Sequence, residues 1–203
     1  MSADGRRRDG RDLRQALIDA ASAMLQEAQP TPAPSLRAVA RACGVSPTAV
    51  YLHFDSWAAL IDAVLQQHFA DARARVESAL RGVEGPRERL DAFALVYVTW
   101  GLEHQGPYQL LFGSMEWLKE TDEVSAWLEG CVDSMAGDLL AVGAADDRAD
   151  ALKRVEWLWV ALDGLISLRR RKGRYPAHRS VAEDVAGMVE VFAGPAAGGP
   201  GAG

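Results

Sequence analysis

Apolar residues recur at spacings of three and four along almost the whole chain, and we find no convincing alternation of the kind a half-buried strand shows. The chain should therefore be all-α. The periodicity, read together with capping and breaking residues, predicts helices over residues 12–29, 35–43, 46–54, 55–80, 86–105, 107–118, 122–142, 147–172 and 178–193.

Two of these predicted helices are short and follow each other closely. Three prolines between residues 30 and 34 break the chain, and Ser35 is a good N-cap for the helix that follows. That helix ends at Gly44, and Ser46 caps the next one, with Pro47 at its first position. The pattern predicts a helix-turn-helix unit over residues 35–54. Geometry alone also fits an inert helical hairpin.

The side chains of the second short helix favour DNA binding over an ordinary surface helix. Val50 and Phe54 lie one turn apart and can anchor the helix in a core, which leaves the other positions outside. Ala49 and the methyl group of Thr48 are small enough to contact thymine methyl groups. The groups able to reach bases or phosphates are the Thr48 hydroxyl, Tyr51, His53 and, from the preceding helix, Arg37.

Residues 36–54, LRAVARACGVSPTAVYLHF, resemble the DNA-binding signature of the tetracycline-repressor (TetR) family, including its Gly-Val-Ser turn and its Tyr-x-His-Phe ending. The resemblance extends in register from residue 12 to about 70. It implies that bases are faced by Arg37, Pro47, Thr48, Ala49 and Leu52, and phosphates by Ser35, Tyr51 and His53. Together with Ser46 in the turn, these are the candidate DNA-binding residues.

One position departs from the family pattern. Where the family usually has a phosphate-binding lysine at the start of the fourth helix, this chain has Trp57. The loss either weakens operator affinity or is offset by a flexible arginine-rich arm over residues 1–11, which carries Arg6, Arg7, Arg8 and Arg11, and our hypothesis is that the arm contributes.

Charge is distributed unevenly along the chain, as expected when only an N-terminal DNA-binding segment, the head, meets DNA and the rest, the body, does not. The formal net charge is −6, but residues 1–54 hold seven arginines against five acids, net +2, which leaves −8 for the rest. Double-stranded operator DNA is therefore an expected partner of the head only.

The C-terminal half carries most of the aromatic residues. Family resemblance implies a DNA-binding domain over 12–58, an effector-binding and dimerisation domain over 59–193, and we expect a disordered Gly/Ala/Pro tail over 194–203. The candidate residues for binding a small apolar or aromatic effector are Phe93, Tyr97, Trp100, His104, Tyr108, Phe112 and Met115. An ordinary aromatic core is the alternative.

The last two helices are the expected homodimer interface of the family. The candidate residues are Leu158, Leu162, Leu165, Leu168, Val185, Met188, Val189 and Phe192, and packing within one subunit is the alternative.

Other classes of function find little support in the sequence. The four histidines are scattered, Cys43 and Cys131 have no metal-ligand spacing, and no phosphate loop or nucleophile motif is present, so we expect no enzyme, metal or cofactor. No apolar run approaches about 18 residues, so we expect a cytoplasmic protein without a membrane partner. The sequence predicts a ligand-responsive repressor that binds a palindromic operator as a homodimer. The alternative is an adaptor or ligand-binding protein of the same fold without specific DNA binding.

Overall fold

The computed structural model describes residues 3–27, 35–112, 122–170 and 179–195. These residues form helices and turns and contain no strand, so the all-α prediction is confirmed. The helices are α1 (Ala3–Glu27), α2 (Leu36–Ala42), α3 (Pro47–Val50), α4 (Trp57–Leu80), α5 (Pro86–Glu103), α6 (Gln105–Phe112), α7 (Asp122–Ala141), α8 (Arg148–Arg170) and α9 (Val181–Ala193).

Helix α1 begins earlier than predicted. Its first residue is Ala3, so the backbone of residues 3–11, expected to be a flexible arm, is helical instead. The prediction used apolar periodicity, which is absent from this charged stretch. Acids and arginines spaced four apart, as at Asp4, Arg8 and Asp12, are compatible with a helix that apolar periodicity does not register.

Helix α3 is shorter than predicted. Only residues 47–50 are α-helical, and a turn follows in which the N–H groups of His53 and Phe54 both donate to the Val50 carbonyl, at 2.9 and 3.0 Å. Residues 51–53 therefore continue the direction of the helix in a tighter turn before the chain enters α4.

The described chain divides into two compact units. The first contains the described residues up to Asp71 together with His104–Phe112, and so holds α1, α2, α3, most of α4 and α6. Its core is formed by Leu17, Ala21, Val39, Val50, Phe54, Leu60, Ile61 and Leu65, so the two predicted anchors, Val50 and Phe54, are confirmed as buried.

The second unit consists of the last part of α4 from Ala72, together with α5, α7, α8 and α9. Helix α8 packs against α5, α7 and α9, and buries Leu158, Leu162, Leu165 and Ile166. Arg169 near the end of α8 binds Asp184 of α9 at 2.6 Å, and a capping box between Ser180 and Glu183 begins α9.

Across the described ranges, no helix has both the length and the apolar character that crossing a bilayer demands.

Candidate DNA-binding surface and effector cavity

Two serine caps and one glycine fix the geometry of the helix-turn-helix. The Ser35 Oγ accepts a hydrogen bond from the Ala38 N–H at 3.3 Å, and the Ser46 Oγ accepts one from the Ala49 N–H at 3.2 Å. Gly44 between the helices adopts φ +67°, a left-handed conformation that favours glycine. The predicted caps are thus confirmed, and the turn begins α3 at Pro47 as expected.

Helix α3 and its turn leave two large side chains uncovered. Leu52 is 81% exposed and Tyr51 is 55% exposed, whereas the neighbouring Val50 is completely buried. Of the other candidate DNA-binding residues, those exposed are Ser35, Arg37, Ser46, Pro47 and Thr48, and those partly buried are Ala49 and His53. The outward face therefore combines small, polar and large apolar groups.

The helix-turn-helix segment itself carries a positive charge. Residues 35–54 contain two arginines, Arg37 and Arg41, both exposed, and no acidic residue. Arg14 of α1 adds a third guanidinium, held 4.9 Å from the centre of the Phe54 ring by a cation–π contact. A surface of this sign attracts phosphate.

Trp57 is the first residue of α4. The Ser56 Oγ accepts a hydrogen bond from the Ala59 N–H at 3.1 Å and so caps the helix, and the Trp57 side chain is half-buried. It supplies no cation. The side chains of Arg6, Arg7, Arg8 and Arg11, expected to compensate, lie outside the described residues.

A cavity of about 320 Å³ lies within the second unit, between the end of α4, the start of α5 and one face of α7. It is lined by Val76, Glu77, Leu80, Arg89, Phe93, Ala126, Trp127, Gly130, Cys131, Ser134, Met135 and Asp138. Its size is within the range of small-molecule sites.

Of the predicted effector residues whose side chains the structure describes, Phe93 alone lines this cavity. Trp100 is buried and borders a separate groove beside Leu95 and Thr99. His104 and Tyr108 belong to the first unit. The side chain of Phe112, and Met115 altogether, lie outside the described residues.

Tyr97 belongs to an aromatic cluster with Phe93 and Trp159. Its ring lies 6.3 Å from that of Phe93 and 5.1 Å from that of Trp159. The Tyr97 hydroxyl donates to Asp163 Oδ1 at 2.7 Å and accepts from Trp159 Nε1 at 2.9 Å. These contacts fit the alternative of an ordinary aromatic core, with Phe93 at its edge.

Helix α7 supplies more than half of the cavity wall, and sequence reasoning missed it. The available signal was a small residue every fourth position, at Ala126, Gly130 and Ser134, followed by Asp138. A Cβ atom added at Gly130 would meet no atom within 4 Å, so the helix leaves open space there.

Both cysteines are free. Burial, reinforced by Glu77, raises the pKa of Cys131 to about 11. Burial, reinforced by Asp19, also raises the pKa of Cys43, whose thiol donates to the Ala16 carbonyl at 3.4 Å. Within the part of the chain that the structure describes, no three His, Cys, Asp or Glu side chains are grouped to hold a metal ion.

Most of the predicted dimer residues face the interior of the subunit. The side chains buried in the core of the single chain are Leu158, Leu162, Leu165, Val185 and Val189. They have almost no surface left for a partner, which corrects their assignment and agrees with the alternative of packing within the subunit. Leu168 is exposed, and Met188 and Phe192 are half-buried.

A different face of α8 and α9 is apolar and exposed. Trp157, Val160 and Leu168 lie at helical spacings on the outer side of α8, and Val191 is exposed on α9. Gly164 lies on the same side of α8, and a Cβ atom there would meet nothing within 4 Å.

Comparison with known proteins agrees with this arrangement. Residues 17–64 match the bacterial regulatory proteins of the tetR family, and residues 90–192 match the tetracyclin repressor-like C-terminal domain. No curated protein sequence matches the chain significantly.

Solved structures share the fold over most of their length. A protein of unknown function from Rhodococcus sp. RHA1 is 25% identical with a TM-score of 0.70, over 89% of this chain and 93% of that one. A TetR-family transcriptional regulator from Bordetella parapertussis 12822 is 21% identical with a TM-score of 0.66, over 89% and 93%. AibR, solved with isovaleryl coenzyme A and operator DNA, is 15% identical with a TM-score of 0.67, over 90% and 99%.

The capped helix-turn-helix in one unit and the helical second unit define the class of helix-turn-helix transcriptional regulators. The two matched segments span most of the sequence, and the chain belongs to the TetR family of bacterial regulatory proteins. The family resemblance drawn from residues 36–54 is thereby confirmed.

Proposed function

We propose that this protein is a ligand-responsive repressor that binds a palindromic operator as a homodimer. The observation that carries the proposal is the helix-turn-helix surface, where Tyr51 and Leu52 are exposed in a segment, residues 35–54, that holds Arg37 and Arg41 and no acidic residue. A monomer gains nothing from leaving two large side chains in water at a positive surface, whereas both can pack against base edges and sugar-phosphate groups.

Each candidate residue has a role in this proposal. Arg37, Pro47, Thr48, Ala49 and Leu52 face bases, and Ser35, Tyr51 and His53 face phosphates. Ser46 acts mainly as the cap that aims the first turn of α3. The DNA-binding domain comprises residues 12–58 and the effector and dimerisation domain residues 59–193.

The homodimer forms through the exposed side of α8 and α9. Trp157 is 52% exposed and Val160 is 69% exposed, an unusual amount of apolar surface on one helix of a monomer. A two-fold interface uses the same patch on both copies. The exposed side chains of Trp157 and Val160 in each copy would therefore be buried against the other copy. Two recognition helices about 34 to 36 Å apart would then read both halves of a palindrome.

The effector binds in the cavity between α4, α5 and α7. AibR, which shares the fold, was solved with a small-molecule ligand and operator DNA together. An effector that favours a conformation unable to bind the operator would release DNA, and DNA must then weaken effector binding by the same factor.

The decisive experiment is a titration of the purified protein against its own upstream DNA at two salt concentrations. Saturable binding to a palindrome that weakens in higher salt is expected, because phosphate contacts release counterions. Tyr51→Ala should lose binding, since its ring is exposed and its loss leaves the core intact.

Leu140→Ala is a matched control, because Leu140 is also exposed but lies on α7. It should bind DNA like the wild type. Binding that ignores sequence, or no binding, would favour the alternative of an adaptor or ligand-binding protein, for which the replacement of a family lysine by Trp57 is the supporting feature.

A further inference from the structure

Among the described residues on the wall of the α4–α5–α7 cavity, each charged side chain has a partner of opposite charge. Arg73 Nε lies 2.7 Å from the Glu77 carboxylate at the rim. Arg89 Nε lies 3.1 and 3.2 Å from the two carboxylate oxygens of Asp138, and its Nη1 donates to the Glu84 carbonyl. The three wall charges, Glu77, Arg89 and Asp138, are therefore committed to protein partners.

The Arg89–Asp138 pair disfavours the binding of anionic ligands in the cavity. Asp138 is almost fully buried, and Arg89 compensates its charge. A ligand carboxylate or phosphate could take the Nε–Nη2 edge of Arg89 only by displacing Asp138, which would leave a buried carboxylate uncompensated. An anion that did not displace it would lie beside the carboxylates of Glu77 and Asp138, and the described lining residues include no cation other than Arg89.

The other described residues of the wall are neutral. Val76, Leu80, Phe93, Trp127 and Met135 supply apolar and aromatic surface, and Ala126 and Gly130 leave room beside them. Ser134 and Cys131 also line the cavity and contribute an uncharged hydroxyl and a thiol. That thiol stays protonated near pH 7, since burial and Glu77 raise its pKa to about 11, so it adds no charge.

We infer that the effector is an uncharged apolar or aromatic molecule, because Asp138 occupies the one guanidinium on the described cavity wall that could bind an anionic analogue. The inference rests on the proposed ligand response and adds the chemical class of the ligand. Coenzyme A thioesters, such as the ligand of AibR, fall outside this class because they are polyanions.

Calorimetric titration with a set of naphthalene probes of matched shape tests this selectivity on the full chain. The probes are 2-naphthalenemethanol and 2-naphthoate. The alcohol is expected to bind, and the carboxylate to bind at least about tenfold more weakly, because burying an uncompensated charge is costly. Equal affinity for the alcohol and the carboxylate, or no binding of the alcohol, would overturn the inference.

Asp138→Asn should reduce the preference of the cavity for the alcohol over the carboxylate. The substitution keeps the shape of the side chain but leaves Arg89 without its counter-charge, so 2-naphthoate should gain affinity by about tenfold or more relative to the alcohol. If this variant does not fold, Arg89→Met combined with Asp138→Leu removes both charges together. The double variant should retain the alcohol and still reject the carboxylate. Unchanged rejection of naphthoate by a folded Asp138→Asn protein would show that the pair does not set selectivity.

Substitutions at two glycines of α7 test whether the probe binds in this cavity. Gly130→Leu places a side chain in the open space of the cavity and should abolish binding of the alcohol. Gly137→Leu makes the same change two turns along the helix, also in open space but outside the lining, and should leave binding unchanged. Full affinity in Gly130→Leu would place the probe elsewhere and refute the assignment.

A further measurement distinguishes an error in the inferred ligand class from an error in the proposed regulatory function. Operator affinity is measured with and without the alcohol in the same preparations. Selective probe binding without any effect on DNA would support the ligand class and contradict ligand-responsive repression. Release of DNA by naphthoate would support repression and contradict the ligand class.

Discussion

His68 is a buried titratable group in the first unit, and its surroundings disfavour the charged form. It is 8% exposed on α4, its Nε2 lies 2.7 Å from the Ser22 hydroxyl of α1, and its ring centre lies 5.4 Å from that of His104. Burial, and then the neighbouring His104, lower the pKa of His68 to about 4, against a smaller opposing effect of Asp71. The folded protein therefore holds His68 neutral at pH values where the unfolded chain protonates it.

Acid should destabilise the fold through this residue. Because the folded pKa is lowered, the stabilising contribution is complete above about pH 6.5 and is lost as the pH falls towards 4. His68→Gln keeps a hydrogen-bonding group for Ser22 but does not titrate. Between pH 7 and pH 5 the wild type should lose roughly 1 to 2 kcal/mol more stability than this variant. Urea unfolding at a fixed protein concentration measures the difference, and parallel pH curves for the two proteins would contradict it.

At the scale of elements, α6 approaches α1 so closely that only glycine fits. Gly106 lies in the first turn of α6, and a Cβ atom there would overlap the carbonyl group of Leu25. Since the obstacle is backbone, it cannot rotate away as a side chain would. Gly106→Ala should therefore destabilise the first unit by about 1 to 3 kcal/mol, the usual cost of overpacking.

Gly137→Ala is the matched control for that change. It lies in open space on α7, so the same substitution should stabilise the protein by up to about 1 kcal/mol through helix propensity alone. Thermal unfolding of the two variants should give midpoints shifted in opposite directions. A neutral or stabilising Gly106→Ala would mean that α6 does not pack on α1 as described.

The elements that sequence predicts best are those with local causes. The serine caps, the Pro47 start of α3 and the Gly44 turn depend on hydrogen bonds within three or four residues, and all were predictable. The cavity was not, because it depends on how α7 meets α4 and α5. Spacing identified Phe93 and Tyr97 on one face of α5, yet that helix is buried on several sides, so spacing could not tell a cavity wall from a core.

The same limit applies to the dimer face at the scale of the whole molecule. Leucines at regular spacing on α8 marked a buried side, and the sequence does not say whether that side is covered by the same chain or by a partner. The structure covers Leu158, Leu162 and Leu165 with its own helices and leaves the opposite side of α8 apolar and exposed. The less regular residues, Trp157 and Val160, are therefore the better candidates for contact between copies.

Val160→Glu tests assembly and DNA binding together. Val160 is so exposed that the substitution should leave the subunit folded, but a two-fold interface would bring both new carboxylates into it. The variant should sediment as a monomer at concentrations where the wild type is a dimer. Its operator affinity should fall by at least about tenfold, because each half-site would then be bound without the other.

Leu140→Glu introduces the same charge on an exposed leucine of α7 and should change neither property. A dimeric Val160→Glu protein would move the interface away from this stripe. A monomeric variant with full operator affinity would separate assembly from DNA recognition, and a palindrome would then have no physical role in binding. If Val160→Glu, but not Leu140→Glu, loses both dimer formation and operator affinity, the apolar side of α8 is the dimer interface on which recognition of a two-fold operator depends.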